Sequence, residues 1–168
     1  MSAQKIRTAL GQLQDDPEQA GAWNELTDAA TSSTSELSAS ELAALLSSAR
    51  RAHEQRREWD AVAKLLALEV TVAKGTDDEA RLQAELARVE DEETHDDKAA
   101  VAAYTRLLEL RPGDTVATEA LERINAKREK SKDLVKRYLK EVDEATDPAF
   151  KSSLLLSAAE VAWRYGGK

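Results

Sequence analysis

The chain has two histidines and no cysteine, so proton transfer near neutral pH would fall to His53 or His95, and thiolate chemistry is excluded. His53 lies in AHEQRRE and His95 in EETHDD. Both read as solvent-facing turn residues, because a catalytic imidazole needs a nucleophile and a third, orienting group that neither motif supplies. The acidic run Glu90-Asp91-Glu92-Glu93-Thr94-His95-Asp96-Asp97 invites a test for metal binding. Glu92-x-x-His95 has the spacing of one half of a di-iron carboxylate site, which needs a second such pair and two further glutamates on other helices. The sequence contains no second Glu-x-x-His. A calcium loop fits no better, since the alternate ligands and central glycine are missing. The run therefore reads as a solvated acidic turn. No glycine-rich loop opens a helix in a way that would cradle phosphates, and no cofactor is expected.

A run of opposite charge spans 123–140, where Arg123, Lys127, Arg128, Lys130, Lys132, Lys136, Arg137 and Lys140 stand against Glu129 and Asp133. Read as a basic helical hairpin, it offers a surface to an acidic partner or to nucleic acid. Tyr138, its one aromatic, falls at a core spacing and so is lost to base stacking. The net charge of −8 also opposes phosphate as the main ligand. Solvated helix faces, partly self-paired through Asp133 and Arg137 at i,i+4, are the simpler reading, with a nucleic-acid or acidic-partner binder as the alternative.

The elements that must position these groups are helices. Among 168 residues there are only three prolines and six glycines, alanine is abundant, and no strand candidate emerges, so the class is all-α. A domain of this length buries about 70% of the surface its unfolded chain exposes and needs no disulfide. The start, MSAQKIRTALGQLQDD, holds no apolar leader segment, and no run approaches the ~20 apolar residues of a membrane span. The expected setting is cytoplasmic, without membrane.

Residues 3–14 form a first helix that ends at Asp15-Asp16-Pro17, where an aspartate N-cap and a first-turn proline start a helix over 18–31 with Trp23 in its core. TSSTSELSAS at 31–40 is loose, because its side chains favour turns over helix interiors. Ser38-x-x-Glu41 is a capping box for a helix to about Glu54 with Leu42, Leu45, Leu46 and Ala49 inward. A helix over 57–73 comes next, built on Trp59, Val62, Ala63, Leu66 and Val70 and closed by Lys74-Gly75. Thr76-x-x-Glu79 caps another, over 78–93, built on Leu82, Leu86, Ala87 and Val89. After a helix over 98–110, two more are expected: 115–128 with Val116, Leu121 and Ile124 inward, and 131–145 with Leu134, Val135, Tyr138, Leu139 and Val142 inward. Asp147-Pro148 starts the last, over 148–165.

The segment DKAAVAAYTRLLELRPGD at 97–114 names an architecture. Its helix carries two apolar stripes, Val101-Tyr104-Leu108 and Ala100-Ala103-Leu107-Leu110, and must be covered on two sides. Its alanines let a neighbouring backbone approach closely. Pro112 stops the helix, Gly113 permits the reversal and Asp114 caps the helix over 115–128. Val62 and Leu66 recur 73 residues later as Val135 and Leu139, while Leu82, Ala87 and Val89 recur 72 later as Leu154, Ala159 and Val161. That separation is close to two units of ~34 residues. Ala100, Tyr104, Leu108 and Pro112 stand where the second helix of a tetratricopeptide repeat (TPR) has its alanine, aromatic, leucine and turn proline, and the Pro17–Trp23–Leu26 spacing resembles the junction between such repeats. The chain thus resembles the TPR family, best over 57–165. It departs from the pattern where the first helices lack the small-residue and tyrosine pair, Val89 and Asp91 standing there instead. One register stays open: counting back from Asp97 makes 18–31 a second helix, whereas the Trp23 spacing makes it a first helix.

The resemblance implies a right-handed α-solenoid of antiparallel helix pairs, about nine helices in one domain over 1–168. It implies a non-catalytic scaffold that binds a peptide or folded protein on the concave face of its first helices. The groove candidates are Arg81, Glu85, Arg88 and Glu92 on one first helix and Thr118, Glu119, Glu122 and Arg123 on the next. The lysine and asparagine clamp some members use on C-terminal carboxylates has no matching set, Asn24 alone being too little. In the last helix Leu154, Ala158, Val161 and Ala162 face back onto the preceding hairpin, and Leu155, Leu156, Trp163 and Tyr165 leave an apolar end. Terminal solenoid units normally turn a polar side outward. The expectation is an array that continues past residue 168, or an end that docks on another chain or a second copy.

Overall fold

The computed structural model describes residues 2–32 and 36–165, apart from the side chains of residues 164 and 165, and within them the chain is eight helices without a strand. They are α1 (Ala3–Asp15), α2 (Ala20–Thr31), α3 (Ala39–Arg56), α4 (Trp59–Val72), α5 (Glu79–Glu92), α6 (Asp97–Leu110), α7 (Thr115–Glu144) and α8 (Pro148–Tyr165). None is long and apolar enough to cross a membrane.

Side chains start several of these helices by satisfying the first amide donors, which have no partner within the helix. Ser38 and Glu41 form the reciprocal box, Glu41 N donating to Ser38 Oγ at 3.3 Å and Ser38 N to Glu41 Oε2 at 2.9 Å. Asp96 takes Lys98 N and Ala99 N, Asp114 takes Ala117 N, and Asp147 takes Phe150 N. Two starts differ from expectation. Asp16 caps a separate turn through Glu18 N, and α2 begins later at Ala20 with no side-chain cap. Thr76 donates its hydroxyl back to Ala73 O, so it ends α4 rather than capping α5, and Glu79 reaches Gly75 N at 2.7 Å. Gly75 holds φ 80 in this turn and Gly113 φ 89 in the turn before α7, the backbone region where a Cβ is unfavourable.

The largest departure is α7. Two helices were expected across 115–145, but one continuous helix of 30 residues runs through the anticipated break, about 45 Å long at 1.5 Å per residue. The count is therefore eight described helices rather than nine, and the basic segment is one helix rather than a hairpin. No glycine or proline interrupts Ala126–Leu134, and its lysines, arginine and glutamate are good helix formers. The 73-residue offset places Lys130 opposite Arg57, which does turn, holding φ 58 between α3 and α4.

Packing joins each odd-numbered helix to the one after it (α1 to α2, α3 to α4, α5 to α6, α7 to α8), with α4 on α5, α6 on α7, α1 on α3 and α2 on α4. Thus α2 packs on α1 as the second helix of that pair, the order that counting back from Asp97 implies. Trp23 is half-buried against the first core cluster, its indole N–H donating to Pro17 O at 2.8 Å and the Lys64 ammonium standing 5.3 Å from its ring centroid.

Three buried clusters succeed one another along the chain: Ile6, Leu13, Leu26 and Leu46 with Leu65 among α1–α4; Val62, Leu66, Leu82 and Val89 between α4 and α5; and Ala103, Tyr104, Leu107 and Ile124 among α5–α7. Beyond Ile124 no residue of α7 is buried, and α8 buries Leu154 and Ala158. Val116 and Leu139, expected inward, are 67% and 45% exposed, because neither has a helix laid over its side of α7. Ala162, expected to pack backward, is likewise exposed.

Candidate functional site

On α3 the inward stripe Leu42, Leu46, Ala49 continues into Arg50 and His53, both buried. His53 is fully buried, not the solvent-facing turn residue its motif suggested. The helix runs on to Arg56 before the chain reverses, and Glu58 closes over the imidazole with its Oε2 2.6 Å from Nδ1. On α4 the stripe Val62, Leu66 leads to Glu69, also buried. Two charged residues at core spacing on adjacent helices must find each other, since an unpaired buried charge is strongly disfavoured. Arg50 Nε donates to Glu69 Oε1 at 2.7 Å, and Arg50 Nη1 to Glu54 at 2.5 Å and to Glu85 of α5 at 2.8 Å. One guanidinium thus ties three helices.

The charges of this cluster do not balance, and the titration of its members reflects that. Burial pushes the Glu69 carboxyl above the usual carboxylate range, outweighing the pull of Arg50, which is shared among three carboxylates. Burial alone would lower Arg50, but Glu69, Glu85 and Glu54 together hold it above its ordinary value.

A second tie lies further along α5. Asp91 accepts from Tyr104 Oη of α6 at 3.3 Å and from the Arg123 guanidinium of α7. Burial, with the Asp91 charge beside it, pushes the Tyr104 phenol up to about 12. A third tie runs from Arg106 of α6 to Glu79 at 2.7 Å, where the Gly75 amide and Arg106 hold the carboxyl below its usual range.

The groove candidates are partly absorbed by these ties. Glu85 belongs to the Arg50 cluster; Arg81 pairs with Asp78 at 3.0 Å and lies 3.9 Å from Glu85; Arg88 pairs with Glu92 at 3.1 Å, and these two remain more than half exposed. Arg123 is joined to α5 through Asp91. Thr118 turns its hydroxyl to Asp114 O at 2.9 Å, and Glu119 and Glu122 stand exposed on α7. So α5 and Arg123 come together, while the other α7 candidates face solvent. Sequence reasoning missed Arg50, Glu69 and Asp91. A signal existed for the first two, a charge standing on each of two neighbouring apolar stripes.

At the other end of the chain, Leu155 is exposed, Leu156 is 71% and Trp163 73% exposed, and Phe150 joins them. The side chain of Tyr165 lies outside the described residues. The whole arrangement can hold helices in register and offer exposed charge and apolar surface. No protein-family model matches this chain, and no curated protein or solved structure matches it at a significant level.

Proposed function

We propose that the chain is a TPR-like, right-handed α-solenoid and a non-catalytic cytoplasmic scaffold, which holds a peptide or folded protein along the face made by α3, α5 and α7. The observation that carries this is the ionic stitching of three first helices, Arg50 joining α3 to α5 through Glu85 and Arg123 joining α7 to α5 through Asp91. Each of these helices packs on the helix that follows it, and the long side chains of Arg50 and Arg123 reach from one such pair to the next, as expected of stacked helical hairpins. The open surface agrees: the chain exposes 10147 Å², against about 8,200 Å² for a compact monomer of its 18.4 kDa. Arg81, Arg88 and Glu92 present exposed charge on this face, which suits a polar peptide backbone and mixed side chains.

Affinity capture with the intact chain, beside an Arg81→Glu, Arg88→Glu double variant, tests the reading. The expected result is a protein retained by the wild type and lost by the variant. Equal retention by both would overturn the α5 face. Turnover in a hydrolase or transferase screen that disappears on His95→Ala would overturn the non-catalytic reading.

A further inference from the structure

Where the end of α8 meets α7, a groove of about 430 Å³ opens, lined by Ser131 together with Arg123, Ala126, Lys127, Lys130, Leu134 and Val161. Ala126, Leu134 and Val161 make an apolar floor, and the three basic residues make the rim. A second groove of about 260 Å³ shares Ser131 and Val161 and sets Lys132 and Lys136 beside Val135 and Ala162. Among the described residues no acidic side chain lines either one.

The internal repeat indicates what kind of element belongs there. Val62 and Leu66 of α4 are fully buried, whereas Val135 and Leu139, 73 residues on, are half-buried and exposed. The same holds for Val89 of α5, buried, and Val161 of α8, half-buried. The first hairpin lies between α3 and α6, so a helix covers each of its flanks. By the chain's own precedent, the element that covers α7 and α8 is a helix.

The rim indicates what that helix carries. The segment 123–140 is strongly basic within a chain whose net charge is −8. Arg123 and Lys127 hold the largely buried carboxylates of Asp91 and Asp97, 7% and 16% exposed, while the two cations stay 60% and 44% exposed and so still present positive charge to solvent at the rim. Nucleic acid fits less well. Its phosphates would match the lysines, but among the described residues the groove lining holds no aromatic ring on which its bases could stack. We propose that the α7–α8 groove docks an amphipathic helix of a partner protein, apolar on the side that enters the groove and bearing aspartate or glutamate along its flanks. This rests on the scaffold reading, names the chemistry of the ligand, and uses a surface apart from Arg81 and Arg88.

The test is fluorescence anisotropy with the intact chain and a labelled peptide of about 18 residues, roughly 27 Å of helix, with leucines at i, i+3, i+4 and i+7 and glutamates flanking them. Controls are a peptide of the same composition scrambled to lose its apolar face, a version with lysine for glutamate, and a single-stranded RNA. The expected result is saturable binding of the acidic amphipathic peptide alone, weakened about tenfold or more in Lys127→Glu, Lys130→Glu and weakened by salt in the wild type. The Arg81→Glu, Arg88→Glu variant should bind it unchanged. Circular dichroism establishes that each variant keeps its helices; should the double lysine variant lose them, the salt dependence of the wild type and the milder Lys130→Gln decide. No saturation by ~100 μM, a Kd near the bottom of useful affinity, would overturn the proposal. So would equal binding of the scrambled peptide, tighter binding of the RNA, or a doubling of mass in light scattering that shields the groove without peptide. Peptide binding with equal capture by the Arg81/Arg88 variant sinks the α5 face and leaves this groove standing. Partner capture lost in that variant, with no peptide bound, does the reverse.

Discussion

The hairpins α4–α5 and α7–α8 start from the same residue types at matching positions and end in different surroundings. Val62, Leu66, Leu82, Ala87 and Val89 are all buried. Of their counterparts Val135, Leu139, Leu154, Ala159 and Val161, Leu154 is buried, Val135 and Val161 are half-buried, and Leu139 and Ala159 are exposed. The apolar pattern is shared, so the cause is cover. The first hairpin lies between α3 and α6, while the far half of α7 and α8 are packed chiefly on each other. Periodicity names the apolar face of a helix; it does not say whether the same chain supplies what lies over it.

Charge divides the two regions in the same way. Arg50 sits 8% exposed among Glu54, Glu69 and Glu85, so Arg50→Met should be the most damaging change. It leaves Glu69, with 5% of its side chain exposed, near two other carboxylates with no directly paired cation, the closest remaining one being the exposed Arg81, 3.9 Å from Glu85. Removing one member of a buried pair in this way costs about 3–5 kcal/mol. Urea unfolding measures it, and a midpoint within error of wild type would mean that water reaches the cluster and that the contrast between the regions is false. Replacing the three acids together with Arg50 by apolar residues of similar volume should recover much of the loss.

Next in size is the comparison itself. Leu66→Ala should destabilise by about 2–4 kcal/mol, since it opens a cavity among residues that cannot collapse into it. Leu139→Ala, the counterpart in α7, should cost less than about 1 kcal/mol, since nearly half the side chain is already in water. Equal losses would show that the far half of α7 is covered in solution, by a second copy or by a movement of α8. Addition of the acidic amphipathic peptide should make Val135→Ala, which alters the groove lining, more costly and leave Leu66→Ala unchanged.

These contrasts also show what the sequence makes legible. Most helices lie within two or three residues of their expected limits, because Ser38, Asp114, Pro112 and Asp147 are local signals whose effect does not depend on distant packing. The break expected near Lys130 is absent because nothing local forces it: Arg57 turns with Trp59 following it against the core, whereas Lys130 has no such demand and the helix continues. His53 and Arg50 escape a local reading for the opposite reason. A polar residue suggests solvent, yet their spacing from Leu42 and Leu46 puts them on the buried stripe, and only the partners Glu58, Glu69 and Glu85 make that burial tolerable. The groove candidates on α5 were legible as exposed charges; the ties that engage Glu85 and Arg123 were not, since they depend on residues 35 and 32 positions away.

A smaller effect lies in the third core cluster. Tyr104 is an acid whose neutral form the fold favours, through burial and the neighbouring Asp91 charge, so its ionisation moves up to about 12 from an ordinary value of 10.0. The unfolded chain gives up this proton near pH 10 and the folded chain gives it up later. Stability owed to the neutral phenol is therefore complete below pH 10 and falls as pH rises towards 12. Ultraviolet absorbance should show one tyrosine ionising late, and Tyr104→Phe should abolish that step. A late step that survives in Tyr104→Phe would assign the covered environment to another tyrosine and weaken the distinction between α6 and the open end of α7.

The smallest expected effect is the one that most sharply isolates burial from chemistry. Lys136 and Asp133 form an ion pair at 3.3 Å, little longer than the bonds Arg50 makes, but their side chains are 75% and 70% exposed. Water already solvates both ions, salt screens their attraction, and holding two flexible side chains together costs conformational freedom. The pair also lies within one helix at i,i+3, so it ties α7 to nothing else. Lys136→Ala should shift stability by less than about 0.5 kcal/mol, with the same urea slope as wild type. The loss should not grow at low salt to anything comparable with Arg50→Met. Were it to do so, the basic face of α7 would be an organised part of the folded core, and the same lysines could not stand ready for a partner's carboxylates.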